Sequence, residues 1–209
     1  MSKVKKIGIR ALFIALCVMG TAQAADGDPK AGKEKSVGCQ GCHGEEGISI
    51  APNFPNLAGQ FQKYIERQMR DYVDGKRSDP MMSGMAAGVT EIQDLKDIAA
   101  YFASKKRMKG TPGGNKELAA KGKVIFHEGN AEKGIYACGK CHGENGYGLD
   151  AKNNIFPVLS GQTKDYIVKQ MNDYRSGERH NDPAGMMSSV AKKMTDAEID
   201  AVAEYVAGM

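Results

Sequence analysis

The sequence predicts an all-α protein made of two tandem domains. Its 209 residues contain an internal repeat, because NFPNLAGQFQKYIERQMRDYVDGKR in the first half matches IFPVLSGQTKDYIVKQMNDYRSGER in the second half. Apolar residues recur at helical spacing in both copies, over residues 61–74 and 163–176. No sustained alternation of polar and apolar residues indicates a β-strand. We therefore expect two similar helical units in one chain.

Residues 1–24 have the pattern of a secretory signal peptide. Four basic residues precede or flank the apolar stretch 11–20, and Ala22-Gln23-Ala24 supplies a cleavage site, so the mature chain is expected to begin at Ala25. Ten apolar residues are too few to span a bilayer, which needs about 20. An uncleaved anchor is the alternative interpretation. The signal-peptide interpretation implies export to the periplasm.

The charge balance does not point to a nucleic-acid partner. The full chain has 29 Lys and Arg against 25 Asp and Glu, a net charge of +4. Residues 1–24 contain four of these basic residues and no acidic one, which leaves 25 of each sign in the mature chain. The net positive charge therefore belongs to the leader, and nucleic-acid binding is not expected.

The repeat sets the expected domain boundaries. A first domain covers residues 25–109, and a second domain covers residues 116–209. The segment between them, 110–115, contains three Gly and one Pro and is predicted to be the linker. We predict a helix over residues 116–128 at the start of the second domain.

Two capping boxes mark the start of the last helix in each half. In a capping box, the Thr side chain accepts from the backbone N–H three residues later, and the Gln or Glu at that position accepts from the backbone N–H of the Thr. The spacing is present in Thr90 with Gln93 and in Thr195 with Glu198. The segments that precede the middle helices, 44–60 and 143–162, are rich in Gly, Pro and Asn. That composition predicts loops.

A Cys-x-x-Cys-His motif occurs once in each half. Two thiols at this spacing form thioethers with the two vinyl groups of a haem, and the following His binds the iron as proximal ligand. The motif predicts two covalently bound haem c groups, with their attachment and proximal ligands at Cys39, Cys42 and His43, and at Cys138, Cys141 and His142. The loops 44–60 and 143–162 are then expected to wrap around the haem edges.

A zinc site and a redox dithiol are weaker interpretations of the same cysteines. Cys42 and Cys138 lie 96 positions apart, whereas paired zinc motifs are usually separated by about 15–20 residues. A redox Cys-x-x-Cys pair does not require a following His. The fifth cysteine, Cys17, lies in the leader, so two haems use every cysteine of the mature chain.

The second axial ligand of each iron decides whether the protein carries electrons or activates small molecules. The candidates are Met81, Met82 and Met85 in the first half, and Met186, Met187 and Met194 in the second, with His127 and His180 as rivals. Alignment of Met-Ser-Gly-Met with Met-Ser-Ser-Val makes Met82 and Met187 the common position. The other candidates stay as alternative ligands. Thioether sulfur favours Fe(II) and raises the reduction potential.

The combination of these motifs resembles the dihaem cytochrome c4 family over essentially the whole mature chain. The resemblance rests on the paired Cys-x-x-Cys-His motifs, the segments Phe54–Gln60 and Phe156–Gln162, the Tyr-containing helices that follow them, and the Met loops. It implies two class I cytochrome c folds that face each other across haem propionate edges. It also implies His43 with Met82 and His142 with Met187 as iron ligands. The carbonyl groups of Pro55 and Pro157 would then orient the two histidines.

Electron transfer is the function that this resemblance implies. Members of the family are periplasmic carriers, often loosely associated with the membrane, that take electrons from respiratory donors such as a cytochrome complex or a small redox protein and pass them to a terminal oxidase. An electron-accepting subunit of a dehydrogenase shares every motif and is the alternative. A dihaem peroxidase is a weaker alternative. It needs an open haem face with acid–base residues beside it, whereas both halves offer a Met that could occupy that face. No catalytic residue is therefore expected.

Overall fold

The computed structural model describes residues 26–149 and 155–209. Its first half contains five helices: α1 (Pro29–Lys35), α2 (Val37–His43), α3 (Gln62–Val73), α4 (Met82–Ala87) and α5 (Ile92–Ser104). Its second half contains α6 (Lys116–Glu128), α7 (Gly139–His142), α8 (Lys164–Ser176), a 3₁₀ turn at Pro183–Gly185, α9 (Met186–Ala191) and α10 (Asp196–Ala207). The expected signal peptide, residues 1–24, lies outside the described residues.

The all-α prediction is confirmed. The described residues form no strand, and their β-type pairing is limited to two isolated bridges. The helices predicted over 61–74, 163–176 and 116–128 are α3, α8 and α6. The segment 44–60, and the described parts of 143–162, contain no helix. None of the described helices has the length and apolar character that a membrane crossing requires.

Each half has its own apolar core between its middle helix and its last helix. In the first half α3 packs against α5, and in the second half α8 packs against α10. The buried side chains of these cores include Ile65, Met69, Tyr72, Leu95, Ile98 and Phe102, and Ile167, Met171, Tyr174, Ile199, Val202 and Val206. The apolar stripes seen in the sequence thus face inward, as helical spacing predicts.

The first helix of each half crosses the last helix at a glycine. A Cβ atom on Gly32 would lie 1.9 Å from the carbonyl oxygen of Asp97, and one on Gly122 would lie 1.9 Å from that of Ala201. A Tyr on the last helix, Tyr101 or Tyr205, flanks each crossing. The absence of a side chain at these two positions therefore sets the closest approach of the helices.

One of the two predicted capping boxes is present. The Thr195 side chain accepts from the backbone N–H of Glu198, and the Glu198 carboxylate accepts from the backbone N–H of Thr195. The prediction for Thr90 and Gln93 is wrong, because α5 begins one residue later than that box requires and its N-cap residue makes no side-chain cap bond. Gln93 instead donates to the buried carboxylate of Asp97 at 2.8 Å, four residues later on the same helix.

The segment 110–115 lies against the second half. The backbone N–H of Gly110 donates to the carbonyl of Met209 at 2.7 Å. Asn115 caps α6 by accepting from the N–H of Leu118, and its own N–H donates to Glu204 on α10 at 3.3 Å. These bonds attach the proposed linker to the helix pair α6 and α10.

Reciprocal hydrogen bonds join the two halves. The Gln60 amide donates to the carbonyl of Val158 at 2.9 Å and accepts from its N–H at 3.1 Å. The Gln162 amide makes the same pair of bonds with the backbone of Asn56, at 3.0 and 2.8 Å. Each half therefore supplies an equivalent glutamine to a backbone segment of the other, and the contact has an approximate two-fold symmetry.

Candidate haem-binding site

The two Cys-x-x-Cys-His motifs lie on short helices. Cys39 and Cys42 are three positions apart on α2 and so share a face of that helix, and Cys138 and Cys141 begin and extend α7 in the same way. All four thiols are half-buried and none is in a disulfide. Burial raises the pKa of the Cys39 thiol and raises that of Cys138 to about 11. The thiols of Cys39 and Cys138 are therefore protonated at neutral pH before haem attachment.

The two motif histidines are buried and hold a defined orientation. His43 and His142 are only 5% and 6% exposed. The His43 Nδ1 lies 2.9 Å from the carbonyl oxygen of Pro55, and the His142 Nδ1 lies 3.0 Å from that of Pro157. A carbonyl can only accept, so Nδ1 carries the proton and the Nε2 lone pair is available for iron. The contacts expected for the two prolines are present.

Burial also keeps both imidazoles neutral. It lowers the pKa of His43 and of His142, and it outweighs the opposite effect of the proline carbonyl groups. Only the neutral ring offers a lone pair to a metal. The environment of these side chains thus suits an iron ligand.

One continuous cavity of about 520 Å³ reaches both histidines. Its walls come from both halves and include His43, Met82, His142 and Met187. The lining is mostly apolar, as a haem macrocycle requires. The cavity therefore extends from one candidate iron site to the other across the contact between the halves.

The structure separates the three candidate methionines of the first half. Met82 lines the cavity and packs against the core of its half. Met81 and Met85 do not line it, and they are 52% and 44% exposed. Of the three candidates, Met82 is the one that lines the cavity.

All three candidate methionines of the second half line the cavity, and their burial and local hydrogen bonds differ. Met186, Met187 and Met194 all line it, but Met194 is a core residue only 4% exposed. An Asp–Ser pair brackets the loop in both halves. The Asp79 N–H donates to the Ser83 hydroxyl at 3.2 Å, and the Ser188 hydroxyl donates to Asp182 at 3.0 Å.

These Asp–Ser pairs occur in both Met loops. The residue directly before the serine is Met82 in the first half and Met187 in the second. The second loop is longer, and it accommodates the extra length with two residues of positive φ, Ala184 at 54° and Gly185 at 66°. The assignment of Met82 and Met187 as the equivalent ligands stays a prediction.

The two rival histidines lie elsewhere. His127 has both ring nitrogens engaged, Nδ1 with Glu144 at 3.1 Å and Nε2 with the Tyr205 hydroxyl at 2.8 Å. His180 is exposed, with Nδ1 3.3 Å from the carbonyl of Gly177. Neither residue lines the cavity.

A polar cluster between the halves was not anticipated from the sequence. Its centre is the pair Arg77 and Arg179, both buried, which bind the side chains of Gln68 and Gln170. The repeat does contain a signal, since Gly-Lys-Arg in the first copy matches Gly-Glu-Arg in the second. Sequence spacing alone does not show that the two arginines meet.

Comparisons with known proteins agree with this geometry. The family model described as Cytochrome c matches residues 29–106 and 119–209, once in each half. A cytochrome c4 of Pseudomonas aeruginosa is 42% identical over 199 residues, which is 95% of this chain and 96% of the relative. The chain belongs to the dihaem cytochrome c4 family.

Two further similarities bear on fold and partner. The crystal structure of reduced recombinant cytochrome c4 from Pseudomonas stutzeri superposes with a TM-score of 0.82 at 39% identity, covering 88% of this chain and 99% of that one. A thiosulfate dehydrogenase electron acceptor of Thiomonas intermedia is 37% identical over 186 residues, 88% of this chain and 84% of the relative.

Family membership confirms the cofactor and the kind of activity. The protein carries two covalently bound haem c groups in two tandem cytochrome c folds, and it is an electron-transfer protein rather than an enzyme. The chain's own residues fit this cofactor, because a continuous apolar cavity contains two neutral histidines with free Nε2 atoms. Two buried donors in the cavity wall, Gln68 Nε2 and Arg67 Nε, also have no hydrogen-bond partner among the described residues.

Proposed function

We propose that this protein is a periplasmic dihaem carrier that takes electrons from a respiratory donor and delivers them to a terminal oxidase. The observation that carries the proposal is the pairing, within one cavity, of a buried neutral histidine and a methionine in each half. A haem iron with a ligand on both faces exchanges electrons and does not bind substrate. Residues 1–24 supply the support for export.

The proposed ligands act by holding the cofactor still. Cys39, Cys42, Cys138 and Cys141 form the thioether bonds, and His43 and His142 bind the irons through Nε2. Met82 and Met187 would hold the irons through their thioether sulfur atoms. The haems supply the one-electron chemistry, and the surrounding helices exclude water from it. We further propose the domain division 25–109 and 116–209, with 110–115 as the linker.

An optical redox titration of the purified holoprotein tests this assignment. Two overlapping one-electron waves are expected, both at potentials raised by methionine ligation. The oxidised protein should be low-spin and should show the iron–sulfur charge-transfer band. A strongly negative potential at either haem would indicate bis-histidine ligation, and carbon monoxide binding to the reduced wild type would indicate an open face.

Service as the electron acceptor of a dehydrogenase is the second candidate. The similarity to the thiosulfate dehydrogenase electron acceptor favours it. Oxygen uptake by oxidase-containing membranes, supplied with the reduced protein, tests the first candidate. Reduction of the oxidised protein by a purified thiosulfate dehydrogenase and thiosulfate tests the second. Peripheral association with a membrane is compatible with either one and is tested by salt extraction of washed membranes.

A further inference from the structure

A glutamate lies two positions after the motif histidine in each half, Glu45 in the first and Glu144 in the second. The first helix of each half supplies its partner. The ammonium group of Lys33 on α1 lies 2.8 Å from the Glu45 carboxylate, and the Nδ1 of His127 on α6 lies 3.1 Å from the Glu144 carboxylate. Equivalent glutamates are therefore tied to equivalent helices by two different cationic groups.

The last helix of each half contributes a tyrosine to the same contact. The Tyr101 hydroxyl donates directly to the carbonyl of Glu45 at 2.6 Å, whereas the Tyr205 hydroxyl lies 2.8 Å from the Nε2 of His127. The position five residues after the crossing glycine is His127 in the second half and Val37 in the first. A titratable side chain thus connects the tyrosine to the glutamate in the second half alone.

The neighbours of His127 contact the helix that carries the second haem motif. A Cβ atom on Gly139, which lies between the two motif cysteines of α7, would be 3.3 Å from the ring of Phe126 and 3.5 Å from the carboxylate of Glu144. Phe126 directly precedes His127 and is fully buried. A charge on His127 is therefore placed close to the attachment site of the second haem.

The hydrogen bonds of His127 accommodate both of its charge states. The Glu144 carboxylate accepts from Nδ1, so in the neutral ring Nε2 is the acceptor for the Tyr205 hydroxyl. A further proton binds at Nε2, and the hydroxyl then turns to accept from it, since a phenol oxygen can donate or accept. Burial raises the pKa of Tyr205, so its hydroxyl keeps its own proton. The charge of the site can change by one without loss of either contact.

The corresponding link in the first half keeps its charge. The hydrogen bond to Glu45 raises the pKa of Lys33, so this ammonium group stays protonated in neutral solution. Histidine, in contrast, ordinarily changes its charge between about pH 5 and 8. The two halves therefore differ in one property, because near neutral pH the link through His127 can gain or lose a positive charge.

The other polar groups around His127 come from three elements. Glu144, which follows α7, also accepts from Lys140 of α7 at 3.3 Å, and α10 presents the Tyr205 hydroxyl. On α6 itself, Lys123 and Glu128 are exposed. Of these residue types, only histidine ordinarily changes its charge between about pH 5 and 8. A dependence on pH in this range at this site is therefore assigned to the imidazole.

We propose that His127 binds a proton whose uptake is linked to reduction of the second haem. The proposal rests on the haem placement given under Proposed function. A positive charge near a haem favours the reduced state, and by reciprocity the added electron favours protonation of the imidazole. As an electron arrives from the donor, a proton from solvent water binds at Nε2, and no other bond of the protein forms or breaks. The first haem has no such partner, because Lys33 is charged throughout.

Redox titrations of the holoprotein between pH 5 and pH 8 test the linkage. The potential of the second haem should fall as the pH rises, by less than one proton per electron, because His127 loses its positive charge. In a Cys138→Ala background the second haem is expected to have a shifted α-band, so its wave can be followed separately. Indicator dye in unbuffered solution measures the protons taken up on reduction, which is an independent readout.

Two substitutions of His127 set opposite fixed charges. His127→Gln should remove this pH dependence and hold the second potential near the wild-type value at high pH, with fewer protons taken up. His127→Lys should also remove it but hold the potential near the wild-type value at low pH. His180→Gln is the matched control, because His180 is the other histidine outside the motifs and is exposed. It should retain the wild-type behaviour, and intact mass confirms two haems in every variant.

An unchanged pH dependence and proton uptake in His127→Gln would overturn the proposal, and so would a second potential that does not vary with pH in the wild type. A loss of pH dependence that is equal at both haems would overturn it as well. If neither His127 variant folds, the reduced wild type decides by NMR. The His127 imidazole resonance, distinguished from that of His180 by His180→Gln, must titrate over the range in which the second potential changes. A strongly negative potential at either haem would instead contradict the carrier function.

Discussion

The Nδ1 atom of His43 donates a hydrogen bond to the carbonyl oxygen of Pro55 at 2.9 Å, and the equivalent pair in the second half, His142 with Pro157, is 3.0 Å apart. The two imidazoles therefore make the same hydrogen bond. We expect a difference between the two haem potentials to arise from other parts of their surroundings. One such part is the wall near Gln68, whose amide nitrogen is unsatisfied, whereas that of Gln170 donates to Asp173 at 3.2 Å.

Replacement of Met82 by Ala should open one iron without releasing its haem. Removal of the sulfur ligand is expected to lower the potential of that haem and to reduce the iron–sulfur charge-transfer band by about half, since one of two equal sites is lost. Carbon monoxide should then bind the reduced variant. Met85→Ala is the control, because Met85 is 44% exposed and does not line the cavity. Loss of the band in Met85→Ala with retention in Met82→Ala would show that the ligand register is wrong.

The same experiment on Met187 tests the second half. Met187→Ala should remove about half of the charge-transfer band, as expected for one of two equal sites, while Met186→Ala should leave it unchanged. Met187 is chosen because it directly precedes Ser188, whose hydroxyl donates to Asp182, just as Met82 directly precedes Ser83. A double variant that lacks Met82 and Met187 should lose the band altogether. Persistence of half the band in the double variant would point to Met186 or Met194.

Covalent attachment through four cysteines predicts a specific mass. The intact holoprotein should exceed the apoprotein that begins at Ala25 by two haems, and acid–organic solvent should extract neither. Cys138→Ala, which removes one thioether bond, should leave a haem bound by a single bond with a shifted α-band in the pyridine haemochrome spectrum. Extraction of a haem from the wild type would contradict the attachment sites.

A methyl group at the first helix crossing should destabilise the fold. In Gly32→Ala the new Cβ would meet the Asp97 carbonyl at 1.9 Å, so α1 and α5 must move apart, at a cost of about 1–3 kcal/mol for overpacking. Gly84→Ala is the matched control, because Gly84 is an exposed helical residue with open space around its Cβ position. That change should be neutral or stabilising by about 0.5–1 kcal/mol. Urea unfolding of the holoproteins provides both values, and equal effects would contradict the close approach.

The buried carboxylate of Asp97 should make stability depend on acid pH. Burial raises the pKa of Asp97, but hydrogen bonds from Lys35, the backbone of Asp28 and Gln93 outweigh burial and lower it below 3.8. The ionised group therefore stabilises the fold above the unfolded-state pKa, and this contribution is lost as the pH falls through the folded-state pKa. Asp97→Asn should lower the free energy of unfolding at pH 6 and lower it progressively less below pH 4.

The control is Asp94→Asn, on the same helix, whose side chain is 41% exposed. It should lower the free energy of unfolding at pH 6 by a smaller amount. A cost for Asp97→Asn that does not vary with pH would contradict the role of the charge.

Local patterns predicted the helices and the two motif histidines because both depend on short stretches of sequence. The helical stripe of α3, the start of α6 at Lys116 and the cap at Thr195 all follow from spacing over a few residues. The cap at Thr90 did not form, and Gln93 instead donates to Asp97, four residues later on the same helix, a spacing that also brings side chains together. The Arg77–Arg179 pair was missed for a different reason, because its partners in the other half lie about 90 positions or more away along the chain.

The reciprocal bonds of Gln60 and Gln162 give the contact between the halves the character of an isologous interface, in which the same patch pairs with itself. An isolated half already displays both the donor side chain and the backbone segment that such a side chain binds. Two separate copies could satisfy these groups only at sufficient protein concentration. Joining them through the proposed linker, residues 110–115, makes the association intramolecular, with a high effective concentration. The spacing of the two haems therefore becomes independent of how much protein the cell makes.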